Sequence, residues 1–175
     1  MTAFAGYFAP DMSNTLTTTL NNNNSTSNAT TTSNSTNLNT FKGSGVTFQY
    51  PKDWNQYTSD SSDPDRIVAL KSDKADISLL SVFAEDAHGD GLDYWKKIQK
   101  DALSSNDTII SEKSVQIAGV SGYRLDYSYT NNGGGEHSDI IFVKNGKRYK
   151  LLFTTGSVSA IQNDINTIVN SFKTY

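Results

Sequence analysis

The chain has 175 residues, a formal net charge of −3 and no cysteine. The absence of cysteine excludes disulfides, thiol catalysis and cysteine-ligated metals from this sequence. Lysine and arginine are scattered among acidic residues and form no basic stripe interleaved with aromatics, which argues against a nucleic-acid partner.

The first forty residues differ in composition from the rest of the chain. Between residues 12 and 40, Asn, Thr and Ser make up 24 of 29 residues, and none is charged. Such a segment buries too little apolar surface to offset the ordering of its backbone, roughly 1–2 kcal/mol per residue. The sequence therefore predicts a disordered stalk over residues 1–40 and one domain over residues 41–175, a length that suits a single core.

The stalk also bears on location. Four N-glycosylation sequons begin at Asn23, Asn24, Asn28 and Asn34, although any Asn/Ser/Thr tract generates sequons by chance. Residues 3–9 are apolar but far short of the roughly 20 residues of a membrane span, so they fit either the tail of an upstream span or an ordinary terminus. We therefore expect an extracellular or cell-surface protein, membrane-anchored if such a span precedes this segment.

Alternating apolar and polar residues predict three strands before the first helix, over residues 46–50, 66–71 and 76–83. The period then changes to that of an amphipathic helix, with Asp90 as its N-cap and an end near residues 104–106. Its predicted apolar face comprises Leu92, Trp95, Ile98, Ala102 and Leu103.

Four more strands are predicted over residues 108–117, 123–129, 139–144 and 148–154. In the second of these, tyrosines and Leu125 occupy one face and Arg124, Asp126 and Ser128 occupy the other, which predicts one buried face and one that meets water or a helix edge. Asn145-Gly146 lies between the last two strands and is a strong hairpin signal.

A final helix is predicted with Ser157 or Ser159 as its cap. Its apolar stripe comprises Ile161, Ile165, Ile168, Val169 and Phe172. Because hairpins rather than crossovers join most strands, the order β-β-β-α-β-β-β-β-α predicts an α+β fold in which helices flank a mainly antiparallel sheet.

Three segments carry a resemblance to a known family. Residues 45–54 (GVTFQYPKDW) resemble the start of PsbP-like domains in their phenylalanine, tyrosine-proline and tryptophan. Residues 115–123 (VQIAGVSGY) resemble the strand-glycine-strand element of the family, and residues 146–153 with Ser171-Phe172 resemble its closing hairpin and helix. The likeness covers nearly all of residues 41–175.

The resemblance implies an antiparallel sheet sandwiched by helices, the fold shared by the extrinsic PsbP subunit of photosystem II and a Ran-binding nuclear import factor. It also implies an accessory binder rather than an enzyme. A stalk that tethers such a domain is similar to the PsbP-related surface proteins of methane-producing archaea. Fold alone does not determine function, so the site residues need their own argument.

One candidate metal site is the loop containing Asp86, His88 and Asp90, which places ligands at alternating positions before a glycine, as calcium loops do. The match fails at the twelfth position, where Lys97 replaces the bidentate Glu that calcium requires. The alternative is a solvated loop in which Asp90 caps the helix.

A second candidate site is formed by His137 with Glu136 and Asp139, since imidazole and carboxylate together suit zinc or manganese. Residues 137 and 139 share a face if that segment is extended. The alternative is a surface histidine beside a glycine turn, because two neighbouring ligands rarely suffice for a site.

No catalytic signature accompanies these residues, since Ser121 lacks the Gly-x-Ser-x-Gly spacing of a hydrolase elbow. Most aromatics occupy inward positions of strands and helices and are predicted to be core. Trp54 and Tyr57, which follow Pro51 near a loop, are the exceptions and predict a binding cleft.

The favoured hypothesis is a non-enzymatic accessory or ligand-binding domain at the cell surface, a monomer that needs no cofactor and has an unknown protein or small-molecule partner at the envelope. One alternative is a metal-binding protein or metal-dependent enzyme that uses Mn, Zn or Ca. A second alternative is a structural envelope protein whose stalk only sets a distance.

Overall fold

The computed structural model describes residues 37–58 and 63–175, which form two antiparallel sheets and two α-helices. The small sheet has the order β1-β2-β10, with β1 at Leu38–Gly43, β2 at Val46–Pro51 and β10 at Lys173–Thr174. The helices are α1 at Leu92–Asp101 and α2 at Gln162–Ser171.

The large sheet has seven strands in the order β3-β4-β5-β9-β8-β7-β6, and all neighbours are antiparallel. These strands are β3 at Asn55–Gln56, β4 at Arg66–Ser72, β5 at Ser78–Asp86, β6 at Thr108–Ile117, β7 at Val120–Tyr129, β8 at Gly135–Lys144 and β9 at Lys147–Thr155. The predicted α+β class, a mainly antiparallel sheet with flanking helices, is confirmed.

The larger core lies between one face of the large sheet, α2 and the small sheet. The rings of Phe48 on β2 and Phe172 after α2 stack with their centroids 5.4 Å apart, and Phe142 on β8 meets Phe172 edge-on at 5.7 Å. The predicted apolar stripe of the last helix is fully engaged here, because all five of its residues are buried. This face of the sheet holds most of the buried apolar surface.

The opposite face carries a smaller cluster beneath α1. Tyr123, Leu125 and Ile141 of the sheet pack against Leu92, Trp95 and Leu103, which lie in and just after α1. The predicted apolar face of α1 is therefore only partly correct. Ile98 is 38% exposed, and Gln99 is buried instead.

The polar face of β7 is mostly buried, and of its three polar residues only Ser128 is half-exposed. Arg124 and Asp126 are both buried on the face beneath α2, and Arg124 Nε lies 2.6 Å from Asp126 Oδ1. Arg124 Nη2 also donates to Gln162 Oε1 of α2 at 3.0 Å. Of the two predicted environments, contact with a helix is the correct one.

Several predicted boundaries are corrected, among them the start of β8, which is Gly135 rather than residue 139, and the end of α1, which is Asp101 rather than residues 104–106. Strand β1 begins at Leu38 and pairs with β2, so residues 38–40 belong to the domain rather than to the stalk. The third predicted strand runs from Ser78 to Asp86 rather than over residues 76–83. It starts later because Asp76 and Ile77 have φ angles of 62° and 102°, which lie outside the β region.

Neither predicted helix cap forms. The residue at the N-cap of α1 is Gly91 rather than Asp90, and no side chain caps that helix. Neither Ser157 nor Ser159 caps α2. Instead, the N–H of Val158 in the turn before α2 donates to Glu136 Oε2 of β8 at 2.6 Å, so a strand residue distant in sequence satisfies this donor.

The predicted sequons and the apolar segment at residues 3–9 lie outside the described residues. Among the residues that are described, no helix is long and apolar enough to cross a membrane.

Candidate functional site

His137 lies on the α1 face of β8, where strand register places it opposite Tyr127. Its ring centroid is 5.1 Å from that of Tyr127 and 4.3 Å from that of Tyr129, and its Nδ1 is 3.0 Å from Thr154 Oγ1. Burial lowers the pKa of His137, although the carboxylate of Asp139 acts in the opposite direction. The imidazole therefore packs against two tyrosine rings in an environment that favours its neutral form.

Asp139 lies two residues further along the same face of β8 and is fully buried. Its Oδ2 accepts a hydrogen bond from Gln99 Nε2 of α1 and lies 3.0 Å from Lys150 Nζ of β9. Its Oδ1 has no hydrogen-bond partner among the described residues. Asp139 is thus a buried carboxylate whose charge is balanced by a lysine.

The predicted set of His137, Glu136 and Asp139 is not brought together. Glu136 lies on the opposite face of β8, where it accepts the hydrogen bond from Val158, because successive strand residues point to opposite faces. Lys150 already supplies the positive charge beside Asp139. Within residues 37–58 and 63–175, no group of three or more His, Asp or Glu side chains could hold a metal ion.

The predicted calcium loop is a tight turn. Asp86 Oδ1 accepts a hydrogen bond from the backbone N–H of His88 at 2.6 Å, and Asp90 N donates to Ala87 O at 2.9 Å. The side chains of Asp86 and His88 are 73% and 75% exposed. Asp86, His88 and Asp90 form a solvated turn rather than a cation cage.

Trp54 and Tyr57, which were predicted to share a cleft, are separated. Trp54 is fully buried in the larger core, where its Nε1 donates to Asp164 Oδ2 at 2.8 Å and its ring meets Phe153 edge-on at 6.4 Å. The prediction that Trp54 lines a cleft is wrong, since Trp54 anchors α2 to the end of β2.

Tyr57 does line a cleft, which we call the Tyr57 cleft. Its volume is about 340 Å³, and it is bounded by β1, by the segment after β3 and by the start of β4. The backbone N–H of Tyr57 donates to Ala69 O of β4 at 3.1 Å, which fixes this segment to the sheet. The lining residues are Phe41, Gln56, Tyr57, Thr58, Arg66, Ile67, Val68 and Ala69.

The polar side chains under α1 were mostly missed by sequence reasoning. Besides Gln99 and Lys150, they include Arg148, whose guanidinium lies 4.2 Å from the ring centroid of Trp95 and which pairs with Glu85. Arg148 and Lys150 occupy alternate positions of β9. That alternation is present in the sequence, but it is typical of a solvent-facing strand and gave no sign that a helix covers it.

The chain belongs to the family of PsbP-like proteins, whose family model matches residues 11–174. Its fold is similar to the solution structure of a cyanobacterial PsbP, CyanoP, from Synechocystis, with a TM-score of 0.58 and 17% identity over 85% of this chain and 98% of that one. It is also similar to a crystal structure from Bacteroides thetaiotaomicron, with a TM-score of 0.51 and 12% identity over 75% of this chain and 45% of that one. No curated protein matches the chain.

At these identities the solved structures show the fold alone. Membership of the PsbP-like family supports a non-catalytic accessory domain in general terms. The residues that carried the resemblance are structural, because Phe48, Tyr50 and Trp54 are all buried in the larger core.

Proposed function

We propose that this chain is a non-enzymatic accessory domain that binds a partner protein or a small ligand at the cell surface, and that the Tyr57 cleft is the binding site. The observation that carries the proposal is the cleft itself. Its volume of about 340 Å³ falls in the range of roughly 300–1,000 Å³ that ligand sites occupy. Apolar Phe41, Ile67 and Val68 combine there with polar Gln56 and Thr58.

A local irregularity of β4 shapes the cleft. Arg66 is paired with Phe83 but Val68 is paired with Val82, so Ile67 is an extra residue that forms a bulge. Bulges re-aim side chains and are frequent beside functional sites. The cleft walls are β-strands and a hydrogen-bonded segment, so a ligand would meet a largely preorganised surface.

The positions of the two histidines favour binding over catalysis. Neither His88 nor His137 is among the residues that line the Tyr57 cleft. His137 stacks on Tyr129 and contacts Tyr127, and His88 lies in the solvated turn at the end of β5. A general base has to reach the proton that it removes, and neither imidazole is placed to act on a ligand in this cleft.

Binding is tested by NMR titration of the full chain with N-acetylated tripeptides that carry an aromatic, aliphatic, acidic or basic central residue. We expect saturable shifts of the Thr58 and Val68 amides for at least one class. The variant Y57S should abolish them, whereas Y94S, which removes an exposed tyrosine on α1, should not. Saturable binding that is equal in Y57S and the parent would contradict the assignment of the cleft.

Catalysis is tested separately with ester, phosphate-monoester and peptide-amide substrates. The proposal expects no turnover above background. Reproducible turnover that disappears in H137Q or H88Q would replace the binding role with an enzymatic one.

Display at the cell surface rests on the uncharged Asn/Thr/Ser-rich segment and its four sequons. Added protease should therefore release the domain from intact cells. Cleavage that occurs only after lysis would place the protein inside the cell and contradict surface display.

A further inference from the structure

The two helices are held to the large sheet very differently, although both have ten residues. Four residues of α2 are buried and three of them are apolar, whereas the only buried residue of α1 is the polar Gln99. Leu92 and Trp95, which are the apolar residues of α1 that pack on the sheet, are only half-buried. Because burial of apolar surface is the main term that holds a helix to a sheet, α1 is held much less firmly than α2.

The connectors at both ends of α1 leave it free to move. Outside the helix itself, the backbone hydrogen bonds of residues 88–107 stay within residues 87–107. Before α1, the backbone N–H of Ala87 donates to Gly146 O at 2.8 Å, and after α1 the strand pairing of β6 begins at Thr108. Gly89 has a φ angle of 83°, and around both Gly89 and Gly91 no atom beyond the adjacent residues lies within 4 Å of a Cβ position. The backbone of this segment is therefore anchored at its two ends and is open between them.

The polar contact beneath α1 is incompletely satisfied. Gln99 donates a hydrogen bond to Asp139, but Asp139 Oδ1, Trp95 Nε1 and Arg148 Nε are buried without a hydrogen-bond partner among the described residues. A buried polar atom that is left without a partner destabilises the conformation that buries it. The ion pair that joins α1 to β6 is exposed on both sides and contributes little.

We propose that α1 is a lid, hinged at residues 88–91 and 102–107, that opens as a unit while both sheets and α2 stay folded. Opening uncovers Tyr123, Leu125 and Ile141, which are at most 6% exposed beneath the closed lid. Exposure of these three side chains opposes opening, so the closed form is the major one. Elements with few buried apolar contacts are those that open below the global unfolding transition. The proposal rests on the α1 face alone and does not depend on the Tyr57 cleft.

The chain has no cysteine, so a single introduced thiol reports the opening. Ile140 and Ile141 are neighbours on β8 and both are fully buried, but Ile141 lies beneath α1 and Ile140 lies in the larger core. In the full chain, the thiol of I141C should react with DTNB at least about tenfold faster than global unfolding of that variant allows. The thiol of I140C, the matched control, should react only as fast as global unfolding allows.

The urea dependence of these reactions separates the two kinds of opening. Labelling of I141C should accelerate only weakly with urea, because opening of the lid exposes little surface, whereas labelling of I140C should accelerate steeply. Native-state hydrogen exchange of the unmodified chain checks the same point without a substitution. The amides within α1 should exchange through an opening that depends weakly on urea, and those within α2 should exchange through global unfolding.

The variant Q99A, made in the I141C background, removes a hydrogen bond to the Asp139 carboxylate that only the closed lid forms. Labelling should accelerate about tenfold, the usual value of one hydrogen bond to a charged group. The matched control is Q162A, which removes an amide oxygen of α2 that accepts a hydrogen bond from Arg124 at 3.0 Å on the other face of the sheet. It should leave the labelling of I141C unchanged.

The proposal is overturned if I141C is labelled only as fast as global unfolding allows, or if Q162A accelerates its labelling as much as Q99A does. Equal urea dependence of hydrogen exchange in α1 and α2 would also overturn it. Fast exchange of the α1 amides together with slow labelling of I141C would do the same, because the helix would then fray in place without uncovering the sheet. Opening of the lid together with no tripeptide binding at the Tyr57 cleft would support this inference while contradicting the proposed function.

Discussion

The two faces of the large sheet are built differently. The α2 face is a continuous apolar core in which aromatic rings from the small sheet, the large sheet and the end of α2 meet. The α1 face has a small apolar cluster, and the remainder of the contact is polar, with Gln99 and Lys150 holding the carboxylate of Asp139.

The difference indicates where the folding free energy resides. Apolar burial contributes about 25 cal/mol per Å², so most of the stability should come from the α2 face. A buried ion pair contributes little net stability but is costly to break on one side. On the α1 face, replacing both members of the buried charge pair should therefore cost little stability, whereas replacing only one of them should cost much more.

The largest expected effect is on the α2 face. The variant F172A removes a ring that stacks on Phe48 and meets Phe142 edge-on, and it should cost about 3–5 kcal/mol of unfolding free energy. The matched variant on the other face is I98A, which removes a side chain that is 38% exposed and should cost less than about 1 kcal/mol. Urea unfolding measures both, and similar losses would contradict the proposed division of stability.

A smaller loss is expected when the buried pair on the α1 face is broken. The variant K150M leaves the buried carboxylate of Asp139 without its counter-charge and should cost about 3 kcal/mol. This is at the lower end for buried pairs, because the Lys150 side chain is still 22% exposed.

The double variant D139N/K150M should recover most of that loss, since no charge then remains buried and Gln99 still has an amide oxygen to bond. A double-mutant cycle from thermal unfolding gives the coupling between the two residues. Additive losses would show that Lys150 and Asp139 do not stabilise each other.

Elements with strong periodicity could be predicted from the sequence. The alternation in β2 and β7 and the stripe of α2 identify buried faces directly, because side-chain direction follows from strand and helix geometry. Strand β1 was missed because its residues continue the Thr- and Asn-rich composition of the stalk, and its order comes from pairing with β2. The two-residue strands β3 and β10 have no period to detect.

The candidate sites were harder to predict because they depend on register and on contacts between distant residues. Strand period places His137 and Asp139 on one face, and the same period places Glu136 on the other. The pairing of Asp139 with Lys150 and the bond from Val158 to Glu136 join residues on different elements. Trp54 follows a proline near a loop, yet Asp164 on α2 gives its indole N–H a buried partner.

The smallest expected effect is a pH dependence that arises on the α1 face. Burial lowers the pKa of His137 below its ordinary value of 6.5. In the unfolded chain the imidazole takes up a proton at a higher pH than in the folded protein, so stability is fully present above about pH 6.5 and falls as the pH drops through the folded-state pKa. Burial acts to raise the pKa of Asp126, but hydrogen bonds from Arg124 and Ser111 outweigh it and lower that pKa. Asp126 therefore affects stability only below about pH 4.

Unfolding free energies between pH 7.5 and about pH 5 should therefore decrease toward acid by an amount that corresponds to at most one extra proton bound on unfolding. The variant H137Q removes that proton and should flatten this part of the curve. The control H88Q changes the exposed histidine in the turn after β5 and should leave the slope as it is. If H137Q and the parent had the same slope, His137 would not be the group that makes the stability of the protein sensitive to mild acid.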